Sequence, residues 1–204
     1  MTETFLDKAY DTTGTEATRE LYTSWAKTYE AEVGENGYAT PGRCAEALRA
    51  VTTDFSAPIL DFGCGTGLSG LALSLAGFQI IDGTDLTQDM LDQAAEKRLY
   101  RTLTQADPDA PFPVQKGNYS VISAIGVIGA GAAPLDVFDM LLNALDRGGK
   151  FVFSFNDHTL EDPAYEAKVV QCVERGSAVI LSQSYGDHLP GLNMKSKVYV
   201  LEKT

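Results

Sequence analysis

A glycine-rich turn within residues 59–67 constrains this chain more than any other stretch. The first part of this stretch, residues 58–62, combines a leading proline with apolar side chains and predicts a short buried strand. Gly63, Gly65 and Gly67 then alternate, and apolar residues at helical spacing follow them. A strand that runs through bare glycines into a helix N-terminus offers backbone N–H groups to a ligand. In an α/β sheet such a turn predicts a nucleotide-cofactor site.

Two cofactor patterns overlap in this turn. Asp61, two residues before the first glycine, completes the acidic, alternating-glycine turn of S-adenosylmethionine (SAM) methyltransferases. The dinucleotide pattern of three glycines and a later acid is also present, in Gly65, Gly67, Gly70 and Asp85. A carboxylate beside the turn would repel a pyrophosphate and attract the ammonium group of SAM. Asp61 therefore favours SAM, and a nicotinamide-dependent oxidoreductase stays as the alternative.

The composition is that of an ordinary globular protein. The chain has 204 residues, of which 44% are hydrophobic and 22% charged, so we expect a single domain over residues 1–204. Its three cysteines are scattered and form no CxxC pair, so neither a metal site nor a disulfide framework is expected. The N-terminus is charged and has no apolar run typical of a signal peptide, and we expect a cytoplasmic protein.

The net charge of −12 sets an expectation about partners. Nonspecific binding to nucleic acid or to an anionic membrane requires a basic face, and the sequence shows none. We therefore expect a small-molecule substrate, no nucleic acid and no membrane. The sequence leaves the oligomeric state and the identity of the methyl acceptor open.

Strand and helix patterns alternate along the second part of the chain. Five strands are predicted, over residues 58–62, 79–84, 101–105, 119–127 and 150–155. No helix separates the last two predicted strands, 177–185 and 195–202, so they should pair antiparallel. Alternation of this kind predicts an α/β, Rossmann-like, mostly parallel sheet with helices on both faces.

Two helices are predicted before the first strand. An apolar stripe indicates a helix over residues 15–33, and Thr40 with Pro41 indicates the capped start of a second. We expect residues 1–54 to form a helical cap over a SAM-binding core of residues 55–204.

Several blocks of the sequence resemble class I SAM-dependent methyltransferases. The blocks are residues 59–67, 83–91, 106–107 and 146–150 and, in the N-terminal part, Tyr22, Trp25, Ala26, Tyr29, Gly37, Tyr38 and Pro41. The N-terminal block is most similar to the small Williams–Beuren-region methyltransferase-like branch. The resemblance implies a seven-stranded sheet with an antiparallel last strand. It also implies SAM at the carboxyl ends of the strands and S-adenosylhomocysteine as product.

The resemblance implies a set of cofactor-binding residues. They are Asp61, Gly63, Cys64, Gly65, Gly67, Asp85, Leu86, Met90, Ala106, Asp107, Ala124, Ile125, Gly126, Tyr38, Trp25 and Tyr29. In this set Asp85 would accept both ribose hydroxyls, and Asp61 would orient the turn and attract the ammonium group, directly or through water. Trp25, Tyr29 and Tyr38 would close the site beside the sulfonium.

Simpler interpretations exist for several members of this set. Core packing explains Leu86, Ala124 and Ile125 equally well. A turn before Pro108 accounts equally well for Asp107. The buried stripe of the first helix is the favoured explanation of its aromatic residues.

The sequence assigns no firm catalytic residue. Methyl transfer from a sulfonium requires alignment and exclusion of water, and a general base only where the acceptor must lose a proton. His158 follows the fifth strand and is a candidate base, although a surface loop histidine is the favoured explanation. His188 is placed in the terminal hairpin loop, in a structural or exposed role. A non-catalytic SAM-binding protein therefore remains a further alternative.

Overall fold

The computed structural model describes residues 14–107, 114–129 and 131–204, together with Lys8 and Thr12. Two sequence expectations, a loosely docked lead-in over residues 1–14 and a proline-rich loop over 108–113, lie mostly or wholly outside these residues. None of the helices in the described ranges combines the length and apolar character that crossing a bilayer requires.

Seven strands form one sheet in the order β3-β2-β1-β4-β5-β7-β6. They are β1 (Ile59–Phe62), β2 (Ile81–Asp85), β3 (Thr102–Gln105), β4 (Val121–Ala124), β5 (Lys150–Asn156), β6 (Ala178–Leu189) and β7 (Met194–Lys203). The first five strands pair in parallel, whereas β7 runs antiparallel to both β5 and β6. Only β7 is reversed, which confirms the predicted mostly parallel sheet with an antiparallel last strand.

Helices cover both faces of this sheet, as the alternation predicted. They are α1 (Thr15–Glu35), α2 (Thr40–Arg49), α3 (Leu68–Leu75), α4 (Gln88–Glu96), α5 (Asp136–Ala144), α6 (Asp157–Leu160) and α7 (Pro163–Glu174), with a 3-10 turn at Pro190–Leu192. The start of α7 follows from sequence, because Asp162 caps the helix by accepting from Ala164 N at 2.9 Å. The short α6 had no sequence signal.

Strand β5 shows how the core forms on two faces at once. Phe151 and Phe153 pack with Phe138 of α5 on one face. Val152, between them, points to the other face and packs in the cluster that contains Leu48 of α2. Successive side chains of a strand alternate between faces, so a strand buried on both faces has a continuously apolar sequence.

Two strand ends differ from the sequence expectations by three residues or more. The strand predicted over 119–127 ends at Ala124, because the chain turns away with Gly126 at a φ of +70°. The strand predicted over 177–185 continues to Leu189, because β6 keeps pairing with β7 through a register shift between Asp187 and Leu189. His188 is therefore a strand residue.

Candidate cofactor and acceptor site

A cavity of about 490 Å³ opens at the carboxyl ends of β1, β2 and β4. Of the predicted cofactor residues, its lining includes Gly63, Cys64, Gly65, Asp85, Leu86, Met90, Ala106, Asp107, Ile125, Gly126, Tyr29 and Tyr38. The tertiary structure thus brings most of the predicted set to one place. The carboxyl edge of a parallel sheet, where neighbouring loops diverge, is where α/β folds bind ligands.

The glycine turn leaves one side of its backbone bare. Gly63, Gly65 and Gly67 all have positive φ, at +68°, +53° and +95°. A Cβ on Gly63 would lie 2.5 Å from Val127, whereas a Cβ on Gly65 would meet no atom within 4 Å. Gly63 is thus required by packing. Gly65 keeps the backbone open towards the cavity that it lines.

Asp61 supports this turn from behind. Its carboxylate is fully buried and accepts hydrogen bonds from Ser69 Oγ at 2.6 Å, Ser123 Oγ at 2.8 Å and Tyr100 OH at 2.8 Å. Burial raises the pKa of Asp61 against the opposing effect of these three donors. Asp61 does not belong to the cavity lining, and its three donors lie in α3, in β4 and at Tyr100.

Tyr100 explains the third glycine of the apparent dinucleotide pattern. Its hydroxyl donates to Asp61 and accepts from Gly70 N at 3.1 Å. A Cβ on Gly70 would lie 2.2 Å from that hydroxyl oxygen. The glycine therefore makes room for a tyrosine, and no pyrophosphate is needed to account for it. No local sequence signal marks Tyr100, because its partners lie 30 and 39 residues away.

Asp85 joins two loops at the floor of the cavity. Its Oδ2 accepts from Gly65 N at 2.9 Å, and its Oδ1 accepts from Thr87 N at 3.0 Å. Burial raises the pKa of the carboxyl, while the hydrogen bonds from Thr87 and Gly65 oppose that shift. Thr87 Oγ1 also donates to Oδ1, at 3.2 Å. A carboxylate has about four lone-pair sites, so Asp85 can still accept one ligand hydroxyl.

Thr66 is a site residue that the sequence did not single out. Its side chain lines the cavity and is 1% exposed, and its Oγ1 has no hydrogen-bond partner within the described ranges. Buried hydroxyls are normally satisfied. An unsatisfied hydroxyl beside a bare glycine turn fits a ligand with a polar end, as SAM has at its amino-acid group.

Several predicted residues lie elsewhere. Ala124 is buried in β4, and Gly67 forms the N-terminal boundary of α3; neither belongs to the lining. His158, the candidate base, lies on α6, and its Nδ1 lies 3.7 Å from a carboxylate oxygen of Glu161. It lines neither this cavity nor the smaller one described next, so the structure does not bring it to the cleft.

A smaller cavity of about 60 Å³ continues from the large one towards α6. The two share Tyr22, Tyr29, Tyr38, Gly126 and Ala132 in their linings. Trp25 belongs only to the smaller cavity, together with four polar residues, Ser154, Asn156, Thr159 and His188. The two cavities therefore form one cleft with a cofactor-sized part and a small, aromatic and polar end.

His188 forms the far wall of the smaller cavity. It is 6% exposed, its Nδ1 lies 2.8 Å from Thr40 Oγ1, and its ring meets Tyr38 edge-on at 5.2 Å. The sequence placed His188 in a hairpin loop, which is wrong because β6 extends past it. Thr40 was expected to cap α2, and that is also wrong. Its hydroxyl turns to His188 and Ser196 instead.

Comparison with known proteins agrees with this architecture. Residues 60–151 match a family model described as a methyltransferase domain. The putative methyltransferase solved in complex with the Trm112 methyltransferase activator of Haloferax volcanii has a TM-score of 0.70. It is 14% identical, over 91% of this chain and 97% of that one.

Two curated relatives have higher sequence identity. Methyltransferase-like protein 27 of Homo sapiens is 30% identical over 59% of this chain and 51% of its own length. The 18S rRNA (guanine(1575)-N(7))-methyltransferase of Saccharomyces cerevisiae is 33% identical over 54% of this chain and 46% of its own length. The chain thus spans about half the length of the curated relatives it matches.

These relatives correct one expectation. The acidic composition led us to exclude a nucleic-acid partner. That exclusion is wrong, because relatives from Saccharomyces cerevisiae, Dictyostelium discoideum and Bos taurus are all named as 18S rRNA guanine-N7 methyltransferases. Net charge describes the whole surface and carries no information about a local binding cleft.

The sheet order with its reversed β7, the supported glycine turn and the domain match agree with one another, and they do not support the nicotinamide-dependent alternative. The chain has the fold of the class I SAM-dependent methyltransferases, and its residues 60–151 match a methyltransferase domain.

Proposed function

We propose that this chain transfers the methyl group of SAM to an acceptor bound in the smaller cavity. The observation that carries the proposal is the bond from Gly65 N to Asp85 at 2.9 Å, on the floor of a cavity of about 490 Å³. It couples the residue suited to ribose hydroxyls to the bare turn suited to the amino-acid end of the cofactor.

SAM supplies a methyl carbon attached to a sulfonium, which is already a good leaving group. The part left to the protein is to orient the two reactants and to keep water out. Tyr22, Tyr29 and Tyr38 lie where the two cavities meet, which suits them to both tasks. We propose that α1 and α2 act as the cap of this cleft and that residues 55–204 act as its core.

A guanine base in RNA is the first candidate acceptor, because three relatives are named for methylating guanine N7 of 18S rRNA. The lone pair of an unprotonated ring nitrogen forms the bond to the methyl carbon while the sulfur–carbon bond breaks. The electron pair of the broken bond stays on sulfur, and the positive charge passes to the ring. No proton is lost, so no general base is needed. The aromatic walls of the cleft suit stacking on such a base.

A small heteroaromatic molecule is the second candidate. The acceptor end of the cleft measures only about 60 Å³, which favours a small acceptor. Both candidates present a planar ring to the same aromatic walls.

Calorimetry with SAM and with NADH tests the cofactor, and release of S-adenosylhomocysteine tests the transfer. The acceptor arms are a short guanine-containing RNA, free guanosine and a panel of small heteroaromatic compounds. The expected result is release with at least one arm, lowered at least tenfold in Asp85→Ala when SAM is limiting. SAM binding without release in any arm would favour the non-catalytic alternative, and the absence of SAM binding would refute the proposal.

A further inference from the structure

A chain of buried side chains leads from Arg43 to the wall of the smaller cavity. Arg43 Nη1 donates to Ser196 Oγ at 2.9 Å, and Ser196 Oγ lies 2.8 Å from Thr40 Oγ1. Thr40 Oγ1 lies 2.8 Å from His188 Nδ1. Thr40 and Ser196 are fully buried, so every proton in this chain needs an acceptor within it.

The guanidinium sets the direction of the chain, because Arg43 can only donate. Ser196 Oγ accepts from Arg43, and the acceptor in reach of its own proton is Thr40 Oγ1. The Thr40 hydroxyl then has its proton free for His188 Nδ1. The reverse direction would leave the Ser196 proton without an acceptor in a buried place, which costs about 1–3 kcal/mol.

His188 consequently accepts at Nδ1. Burial also lowers its pKa to about 4, so the ring is neutral at physiological pH. A neutral imidazole that accepts at one nitrogen carries its proton on the other. None of the residues in the described ranges hydrogen-bonds to that second nitrogen, Nε2, and the side chain lines the smaller cavity.

We propose that His188 is a specificity-determining residue, a fixed Nε2–H donor that selects acceptor rings by the lone pair next to their reacting atom. This inference rests on the proposed function and extends it to the choice of substrate. His188 does not act as a base, since the ring that faces the cavity donates a proton in a hydrogen bond and keeps it.

The donor discriminates between purines in a definite way. Guanine places the O6 acceptor beside N7, whereas adenine places an amino donor at the same position. An Nε2–H group would donate to O6 of guanine. With adenine, the same group would face the amino donor, and neither would have an acceptor. Sites that hydrogen-bond a substrate reject analogues that cannot pair, because the buried polar group is then left unsatisfied.

The first test reads the tautomer directly. The chain has 2 histidines, so ¹⁵N-histidine labelling gives a simple spectrum, and His158→Asn assigns the signals. A single neutral form protonated on Nε2 between pH 8 and pH 6 is expected for His188. Ser196→Ala, which removes the donor that orients Thr40, should give a mixture of tautomers. A neutral form protonated on Nδ1, or a charged ring at neutral pH, would overturn the proposal.

The second test measures transfer to guanosine, inosine and adenosine with SAM as donor. Guanosine and inosine, which both carry O6 beside N7, should react, and adenosine should react at least tenfold more slowly. His188→Asn keeps an acceptor for Thr40, but its shorter side chain has no donor at the position of Nε2. This variant should therefore raise KM for guanosine at least tenfold. His188→Gln carries an amide donor to the position of Nε2 and should restore part of this loss.

The SAM dissociation constant separates the possible failures. It should be the same in the wild type, His188→Asn and His188→Gln. If SAM binds normally and adenosine reacts as well as guanosine, or His188→Asn behaves as wild type, the role of His188 is refuted. SAM binding with no reaction of any purine also counts against the selection proposed here. Absence of SAM binding refutes the proposed function instead.

Discussion

The phenolic oxygen of Tyr38 lies directly against Gly126, so that a Cβ on the glycine would stand 2.6 Å from it. This contact joins the segment between α1 and α2 to the end of β4, where the two cavities of the cleft meet. Gly126 also has a φ of +70°. Two independent constraints therefore hold this position to glycine.

Replacement of Gly126 by alanine should lower the free energy of unfolding by about 2 kcal/mol or more, from backbone strain and from displacement of Tyr38. Denaturant unfolding measures this change. Gly148→Ala is the matched control, because it shares the positive φ but its Cβ would meet no atom within 4 Å. The loss of unfolding free energy should be larger in Gly126→Ala than in Gly148→Ala, because only the first alanine clashes with Tyr38. Equal losses in the two variants would show that the contact with Tyr38 has no energetic effect.

Asp85→Ala should weaken SAM binding at least tenfold, or about 1.4 kcal/mol. The change removes the acceptor proposed for the ribose hydroxyls and releases Gly65 N and Thr87 N from their partner. Titration calorimetry gives the dissociation constant. Asp89→Ala, in the first turn of α4 and exposed, is the control and should leave binding within twofold. An unchanged constant in Asp85→Ala would contradict the assigned role.

Tyr100→Phe should destabilise the protein by about 1–3 kcal/mol and weaken SAM binding with it. The loss leaves Gly70 N without its acceptor and Asp61 with one donor fewer, in a buried place. Tyr185→Phe also removes a hydroxyl bonded to a carboxylate, that of Asp157, but at an exposed site, and should cost under about 0.5 kcal/mol. Equal losses of unfolding free energy in Tyr100→Phe and Tyr185→Phe would argue against a stabilising role of the Tyr100 hydroxyl beside the turn.

Acid should destabilise the protein through His188. Because the folded pKa of about 4 lies below the unfolded value of 6.5, the unfolded chain binds the proton first as pH falls. Stability is then lost between pH 6.5 and pH 4, by at most about 3 kcal/mol from this residue.

Urea unfolding of the wild type and His188→Asn at pH 7, 6 and 5 measures this contribution. The wild type should lose more stability than the variant over that range. His158→Asn, at a half-exposed site, serves as the control. Parallel pH profiles for the wild type and His188→Asn would disprove the effect.

The sequence by itself determined the glycine turn, the acid at residue 85 and the sheet with its reversed last strand. Each of these is a local signal: alternating glycines, apolar runs and two strands with no helix between them. Local patterns of this kind act through backbone sterics and burial, which are the same in any surrounding fold. The position of most of the cofactor-lining residues follows from them, because parallel strands bring their carboxyl ends to one edge.

Only the tertiary structure decided which side chains support and complete the cleft. Tyr100 reaches Asp61 across 39 residues, and Thr40 meets His188 across 148. The position of His188 depends on how far β6 stays paired with β7, and that depends on a bulge that no local pattern marks. Hydrogen bonds between distant residues are decided by register and packing. For this reason Asp61 is buried outside the cavity lining, and His158 lies outside the cleft while His188 lines it.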